Sequence, residues 1–470
     1  NYGKVSLDSS SSIDVENTET TNVNSKAVGI YAVNGSEVNN GGKITVNGAQ
    51  SIGILGMAYR LDNKTPPSPV VDEFGKAAVG QGKVTIKNTE KITLSGDNTT
   101  GIYATNNNTS STVVDHTVEN SGTISVGKSS GANTAIGIYA DKVTVKPKDG
   151  TIEIGEKAVG IYGTNGSVIG VAGDNLGKVK FNGEKGVAIS LKGDASHPDA
   201  VLKGTKVTLA EDFSVATKPK TGILADLNND VTLETEVDTG SLNHVTAYYS
   251  ANKNIDVKAK LDLNEESIGI TGDTFNKDIN LTYGDGTNPY TMKVGKKSVG
   301  LFGQRTINLK DKTEIKLNDE KAIGAYAKGG ITGVTTTVNA DGKLTFTKES
   351  AVGVYAENGV KIVQGSTSNL DFSGANSKKN IGMYLAGSKW EGNSAVTFDS
   401  DHAKGNVYIY AQGSRNGGTD TGSTLTPKAL FTVSPTGTAS ATDRTIGIYL
   451  NTEVKGNSGS YVSNTVDMSN

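Results

Sequence analysis

Four histidines, His116, His197, His244 and His402, are the only side chains of this 470-residue sequence whose ordinary titration falls near neutral pH. Together with 49 acidic residues they are the raw material for acid–base chemistry. Cleaving a sugar chain needs carboxylates clustered on one face, with Lys, Arg or His beside them. The sequence has no Asp-Asp pair and no acidic position that recurs in the outward slots of its strand-like segments. The histidines are scattered, each in or next to a predicted loop, and read as surface residues. Gly127-Lys128-Ser129-Ser130-Gly131 matches G-x-S-x-G, but it follows a short strand and precedes no helix, so the nucleophile-elbow context is missing. There is no Gly-Asp-Ser-Gly segment and no P-loop. Asp226–Asp230 lacks the ligand spacing of a calcium loop. With no cysteine, disulfides and thiolate metal sites are excluded. No catalytic residue, cofactor or metal is expected, and the chain reads as a non-enzyme.

Charge narrows the partners. The 46 basic and 49 acidic residues are interspersed and leave a net charge of −3. Nucleic-acid binding needs a basic stripe and membrane anchoring a basic cluster, and neither is present. No apolar run approaches the ~18 residues of a membrane-spanning helix. Zero Cys fits a cytosolic or an exported bacterial protein. The chain begins at Asn1, which reads as an excised piece or a mature region.

The strongest regularity is a tetrapeptide of the form apolar-Gly-apolar-Tyr. Copies begin at Val28, Ile52, Thr100, Ile136, Val159, Val187, Thr221, Val245, Ile268, Val299, Ile323, Val352, Ile381, Val407 and Ile446, with a weaker one at Val79-Gly80-Gln81. Short alternating segments such as Ile92-Thr93-Leu94, Ile152-Glu153-Ile154 and Leu344-Thr345-Phe346 lie between them, ended by Asn-Gly, Gly-Gly or Asp-Gly. That is the signature of short half-buried strands, and no stretch has convincing helical periodicity. The first unit reads as strands at Val28–Ala32, near Val38 and at Lys43–Asn47.

Three short strands per repeat make a triangular coil. One coil cannot bury its inward residues alone, whereas a stacked neighbour covers its open face. The reading is an all-β chain, residues 1–470 forming one right-handed parallel β-helix with projecting loops. Within the tetrapeptide, alternation predicts positions one and three in the core, with Gly and Tyr outward. The outward file is then Tyr31, Tyr103, Tyr139, Tyr162, Tyr248, Tyr326, Tyr355, Tyr384, Tyr410 and Tyr449, with Phe302 standing in once. A ring leaning over a neighbouring glycine would shield its backbone. Stretched repeats mark loops at Met57–Lys76, Thr105–Glu119, Gly272–Lys293, Gly387–Gly405 and Gln412–Ala441, and residues 1–25 have the pattern of one further coil.

Repeated "AVGIYA", "AIGIYA" and "AVGVYA", followed by "GKITVNG" or "GTISVG", resemble the passenger regions of fusobacterial type V autotransporters across essentially the whole chain. The resemblance implies secretion across two membranes, a C-terminal membrane barrel beyond this segment, and display on the bacterial cell surface. It implies an adhesin that binds a host receptor, a host glycan or a partner bacterium, acting as a monomer. A passive stalk presenting a binding domain elsewhere is the alternative, and a polysaccharide lyase or hydrolase on a β-helix is a more distant one.

The loops are the places where a repeat can gain specificity. Met57–Lys76, with Tyr59, Arg60, a Pro cluster and Phe74, is the first candidate for ligand contact. Trp390, the only tryptophan, is the second, or else a plug over a coil edge. The regular tyrosine file reads as structural packing.

Overall fold

The computed structural model describes residues 3–16, 27–33, 35–58, 83–106, 116–212, 216–273, 278–331, 333–374, 376–393, 395–398, 404–416, 418–434, 444–455 and 457–467. Among them there is no α-helix. The chain divides into two compact units, Asn1–Asn229 with Thr235–Leu242, and Asp230–Glu234 with Asn243–Asn470.

In the first unit the chain visits three parallel sheets in rotation. One coil runs through Val28–Val33, Glu37–Asn40 and Lys43–Asn47, and the next through Ile52–Ala58, Thr85–Asn88 and Lys91–Leu94. Each strand pairs in parallel with its counterpart one coil on. Register is set by burial, because a slip of one residue would turn every apolar side chain to solvent. Ile30, Ile54, Ile102, Ile138, Ile161, Ile189 and Ile223 therefore align as one column, nearly all of it fully buried. Lys4–Leu7 and Ser12–Glu16 pair with Glu37–Asn40 and Lys43–Asn47, so the Ser/Thr-rich start does add a coil.

The second unit repeats the plan. Its tyrosine-bearing sheet runs in register from Val245–Ser250 to Ile446–Lys455. A second sheet aligns Ile255, Leu281, Ile307, Val338, Ile362, Trp390, Leu425 and Val466. A third aligns Leu261, Met292, Ile315, Leu344 and Leu370. Each unit is thus a parallel β-helix of three-stranded coils. Corner amides join coils as well: in the first unit buried Asn40 donates from Nδ2 to Asn88 Oδ1 at 2.7 Å, and Asn88 to Asn120 Oδ1 at 2.8 Å.

The glycines of the tetrapeptide point inward, not outward. Glycine and the third residue both face the core, so strict alternation breaks between them and the first residue is left half-buried. A Cβ on Gly137 would lie 2.3 Å from Ile152 Cγ2 and 2.5 Å from the Gly160 carbonyl oxygen. Gly101, Gly269, Gly300, Gly324 and Gly353 meet the next coil's glycine oxygen in the same way. Close approach of stacked backbones, not shielding by tyrosine, is what fixes the residue type. Ala188 and Ala247 fill the equivalent place in two coils, fully buried, so the facing side chain decides what fits. For Gly137→Ala, where the Ile152 methyl must move, overpacking is expected to cost about 1–3 kcal/mol. Urea unfolding followed by circular dichroism would read this as a lowered midpoint, and an unchanged midpoint would refute the inward placement.

Three of the five expected loops contain strands of the coils. Gly272–Lys293 contains strands Leu281–Tyr283 and Tyr290–Val294. Gly387–Gly405 contains Lys389–Gly392 and Val396–Phe398. Gln412–Ala441 begins inside Val407–Asn416 and holds Thr424–Pro427 and Phe431–Val433, but the end of Val407–Asn416 pairs antiparallel with Thr419–Thr421, a hairpin that leaves the parallel stack as expected of this stretch. Apart from Val407–Asn416 these strands are three to five residues long, too short for alternation to stand out, and residues 274–277, 394, 399–403, 417 and 435–441 of these stretches lie outside the described residues. Of the other two, Met57, Ala58, Thr105, Asn106 and Thr117–Glu119 belong to strands. Residues 59–82, including Val79-Gly80-Gln81, and 107–115 lie outside the described residues.

Candidate functional site

The tyrosine-bearing sheets hold the most regular array of polar-tipped side chains, and stacking in register builds it. Tyr103 and Tyr139 lie with ring centroids 4.4 Å apart at 10°, and Tyr139 and Tyr162 at 5.4 Å and 7°. In the second unit Tyr355, Tyr384, Tyr410 and Tyr449 follow at 4.7, 5.0 and 5.1 Å, all within 14° of parallel. Tyr326 meets Tyr355 edge-on at 4.9 Å, and Phe302 tilts against Tyr326. Each contact contributes about 0.5–1.5 kcal/mol beyond area burial. Stacking also covers the ring faces that a sugar would use. Tyr31 is half-buried on the same sheet, its register partner being Leu55.

Tyr248 is not in this file. Thr246 pairs with Ile268 and Tyr248 with Ile270, so the repeat there begins one residue later than the sequence suggests. Tyr248 is 0% exposed, and Tyr249 takes the outward place. Two tyrosines in succession hid the shift.

The phenols of the second file end in a hydrogen-bonded row. Tyr326 Oη donates to Glu357 Oε1 at 2.7 Å, Gln412 Nε2 donates to Tyr384 Oη at 2.5 Å, and Asn451 Nδ2 donates to Tyr410 Oη at 2.9 Å. Lys455 Nζ lies 2.6 Å from Glu357 Oε2 and 4.6 Å from the centre of the Tyr355 ring, an ion pair combined with a cation–π contact. Burial acts to raise the Glu357 carboxyl, yet the Lys455 and Tyr326 hydrogen bonds and the charge of Lys328 outweigh it and hold it below the ordinary value. The arrangement packs Lys455 onto the sheet and uses the carboxylate as an acceptor.

Trp390 occupies the interior. It is 1% exposed, sits in an aliphatic column between Ile362 and Leu425, and meets Phe431 edge-on at 6.3 Å. Its Nε1 donates to Gln364 Oε1 at 3.1 Å, and Gln364 Nε2 donates to Tyr408 Oη at 2.8 Å. Burial pushes the Tyr408 phenol up to about 12, with the Gln364 hydrogen bond pulling the other way. Trp390 is a core plug with no face for a ligand. Tyr59, Arg60 and Phe74 lie outside the described residues.

The remaining chemical candidates resolve one by one. Ser129 Oγ donates to the Lys157 carbonyl at 2.9 Å and accepts from Ala135 N–H at 2.9 Å, a turn-stabilising role. His116 is 3% exposed, against the surface reading, and its Nδ1 accepts from Val84 N–H at 2.9 Å. His197 Nδ1 lies 2.9 Å from the Asp194 carboxylate, His244 Nδ1 lies 3.5 Å from Glu266 Oε2, and His402 lies outside the described residues. Asp226 is paired with Lys192 in the first unit, and Asp230 Oδ1 accepts from Asn254 N–H at 3.0 Å in the second. Among the described residues no three His, Asp or Glu side chains converge as metal ligands.

Two features escaped sequence reasoning. Lys220 is completely buried beside Glu211, in a place that other coils fill with Ser51, Thr99, Ala135 or Ala158. Two residues ahead of the tetrapeptide, Lys157, Lys185, Lys297, Lys321 and Lys379 all adopt positive φ; the recurring lysine was the available signal, but lysine does not advertise that conformation as Gly or Asn does. No family model, curated protein or solved structure matches this chain.

Proposed function

We propose that the chain is part of a bacterial cell-surface adhesin of the autotransporter type, without catalytic activity, in which a β-helical scaffold carries a binding segment within Met57–Lys76. The partner is a host receptor, a host glycan or the surface of another bacterium. What supports this reading is one observation: Ile52–Ala58 pairs along its whole length with Thr100–Asn106, although residues 59–82 lie between them. Pairing of this kind lets the residues between the two strands change while the stack stays intact. The repeat residues quoted above, with their resemblance to autotransporter passengers, are what supports a surface location in this reading.

Replacing 59–82 with a short Gly/Ser linker is expected to abolish retention of cells on the immobilised protein. The far-ultraviolet circular dichroism and the melting temperature should stay within about a degree of the parent. Retention that survives the replacement would remove the segment from the mechanism, and a parent chain that retains no cell would favour the passive stalk.

A further inference from the structure

A shallow polar groove of about 550 Å³ crosses the first unit on the corner where the strands Lys91–Leu94, Thr123–Val126, Thr151–Ile154 and Asn175–Phe181 turn toward the tyrosine-bearing sheet. Its floor is bare main chain. Gly155 and Gly183 line it, and each must be glycine because a Cβ would enter the preceding coil, 2.7 Å from the Gly127 carbonyl carbon and 2.2 Å from Glu156 N. Its walls carry Asp97, Lys128, Glu156, Asn182, Glu184 and Lys218. These residues come from five successive coils, so the groove follows the stacking direction for about 19 Å at ~4.8 Å per step.

The walls carry three carboxylates and two lysines, and each carboxylate has a lysine beside it, that of Glu156 being Lys157 outside the groove. Lys128 lies 4.0 Å from Asp97, Lys157 3.2 Å from Glu156, and Lys218 3.6 Å from Glu184. The backbone donors of the same turns are engaged between coils: Asn98 N–H with Lys128 O at 2.9 Å, Ser129 with Glu156 at 2.9 Å, Lys157 with Glu184 at 2.8 Å, and Lys185 with Pro219 at 2.7 Å. The groove therefore offers strong donors and acceptors in closely paired charges, no excess of positive charge, no apolar pocket and no open strand edge. A sulfated polymer or nucleic acid needs a positive field, and a peptide strand needs an edge or side-chain pockets. Hydroxyl groups need only charged and amide partners at close spacing.

We propose that this groove binds a linear, uncharged polysaccharide laid along the coils, its hydroxyls shared among the carboxylates, the Asn182 amide and the two lysines. One coil step of ~4.8 Å is close to the length of one sugar in an extended β-linked chain, so successive sugars, each turned over relative to the last, fall beside successive coils. The proposal stands apart from the adhesive segment, with which the groove shares no residue.

The test titrates the full chain with cellohexaose and with N-acetylchitohexaose, and in parallel with heparin and poly-lysine, at low and high salt. At least one neutral hexasaccharide should bind, with an affinity that changes less than about twofold with salt, because no counterions are released. The double substitution Glu156→Ala, Glu184→Ala should weaken that binding about tenfold or more while leaving the melting temperature unchanged, and Asn182→Ala should weaken it less. The linker replacement of 59–82 should leave hexasaccharide binding intact. Tighter, salt-sensitive binding of heparin or poly-lysine, no binding of either hexasaccharide, or full affinity in the double variant would each overturn the proposal.

Discussion

Trp390→Ala is expected to lower the folding stability of the second unit by about 3–5 kcal/mol. The indole is among the largest fully buried side chains of the described residues, in a column otherwise lined by Ile362 and Leu425. Its removal opens a cavity that short strands held on both sides by coil pairing cannot close. It also deprives Gln364 Oε1 of its donor inside the core, adding the penalty of an unsatisfied buried amide. Trp390→Phe keeps much of the volume but not the donor, and should lose less. Because the chain has no second tryptophan, denaturation has to be followed by circular dichroism. A surface ligand contact would behave in the opposite way, with binding lost and the unfolding midpoint untouched. That result would put the side chain outside.

Lys220→Met should cost the first unit a comparable 3–5 kcal/mol, through electrostatics. The ammonium is wholly buried, and its partner Glu211 keeps only 16% of its side chain exposed. Methionine fills the space of the lysine stem but leaves the carboxylate desolvated and unneutralised. The neighbouring coils show how easily the place accepts a small uncharged residue, since Ala135 and Ala158 fill it completely buried. The double variant Lys220→Met, Glu211→Leu should therefore recover most of the loss, because replacing both members of a buried ion pair by apolar groups is commonly neutral or favourable. Urea midpoints of the single and double variants decide the matter. A single variant as stable as the parent would mean that water reaches Glu211.

How much of this was legible depended on which physical rule each residue obeyed. The β-helix followed from the period of the tetrapeptide and from the Asn-Gly and Gly-Gly turns, and the strands Glu37–Asn40 and Lys43–Asn47 lie where alternation put them. Alternation then misled at the glycines. A glycine has no side chain to declare its direction, and only the distance from Gly137 to the backbone of the next coil reveals that it faces in. Tyr248 failed for a related reason: Val245-Thr246-Ala247-Tyr248 fits the pattern in one frame, but Thr246-Ala247-Tyr248-Tyr249 is the frame that buries the larger apolar set. Trp390 was assigned to a loop because its strand, Lys389–Gly392, has four residues, and aromatic content suggested a binding surface where the core had widened. The polar corner groove carried no sequence signal, since its walls are common charged residues brought together only by coil stacking.

Coil pairing of this kind also bears on the order of assembly. Val159–Thr164 finds its partners in Ile136–Asp141 and Val187–Lys192 and in no distant part of its sheet. A newly made turn of the chain thus needs a single finished predecessor as its template, and growth can advance rung by rung while later residues are still unfolded.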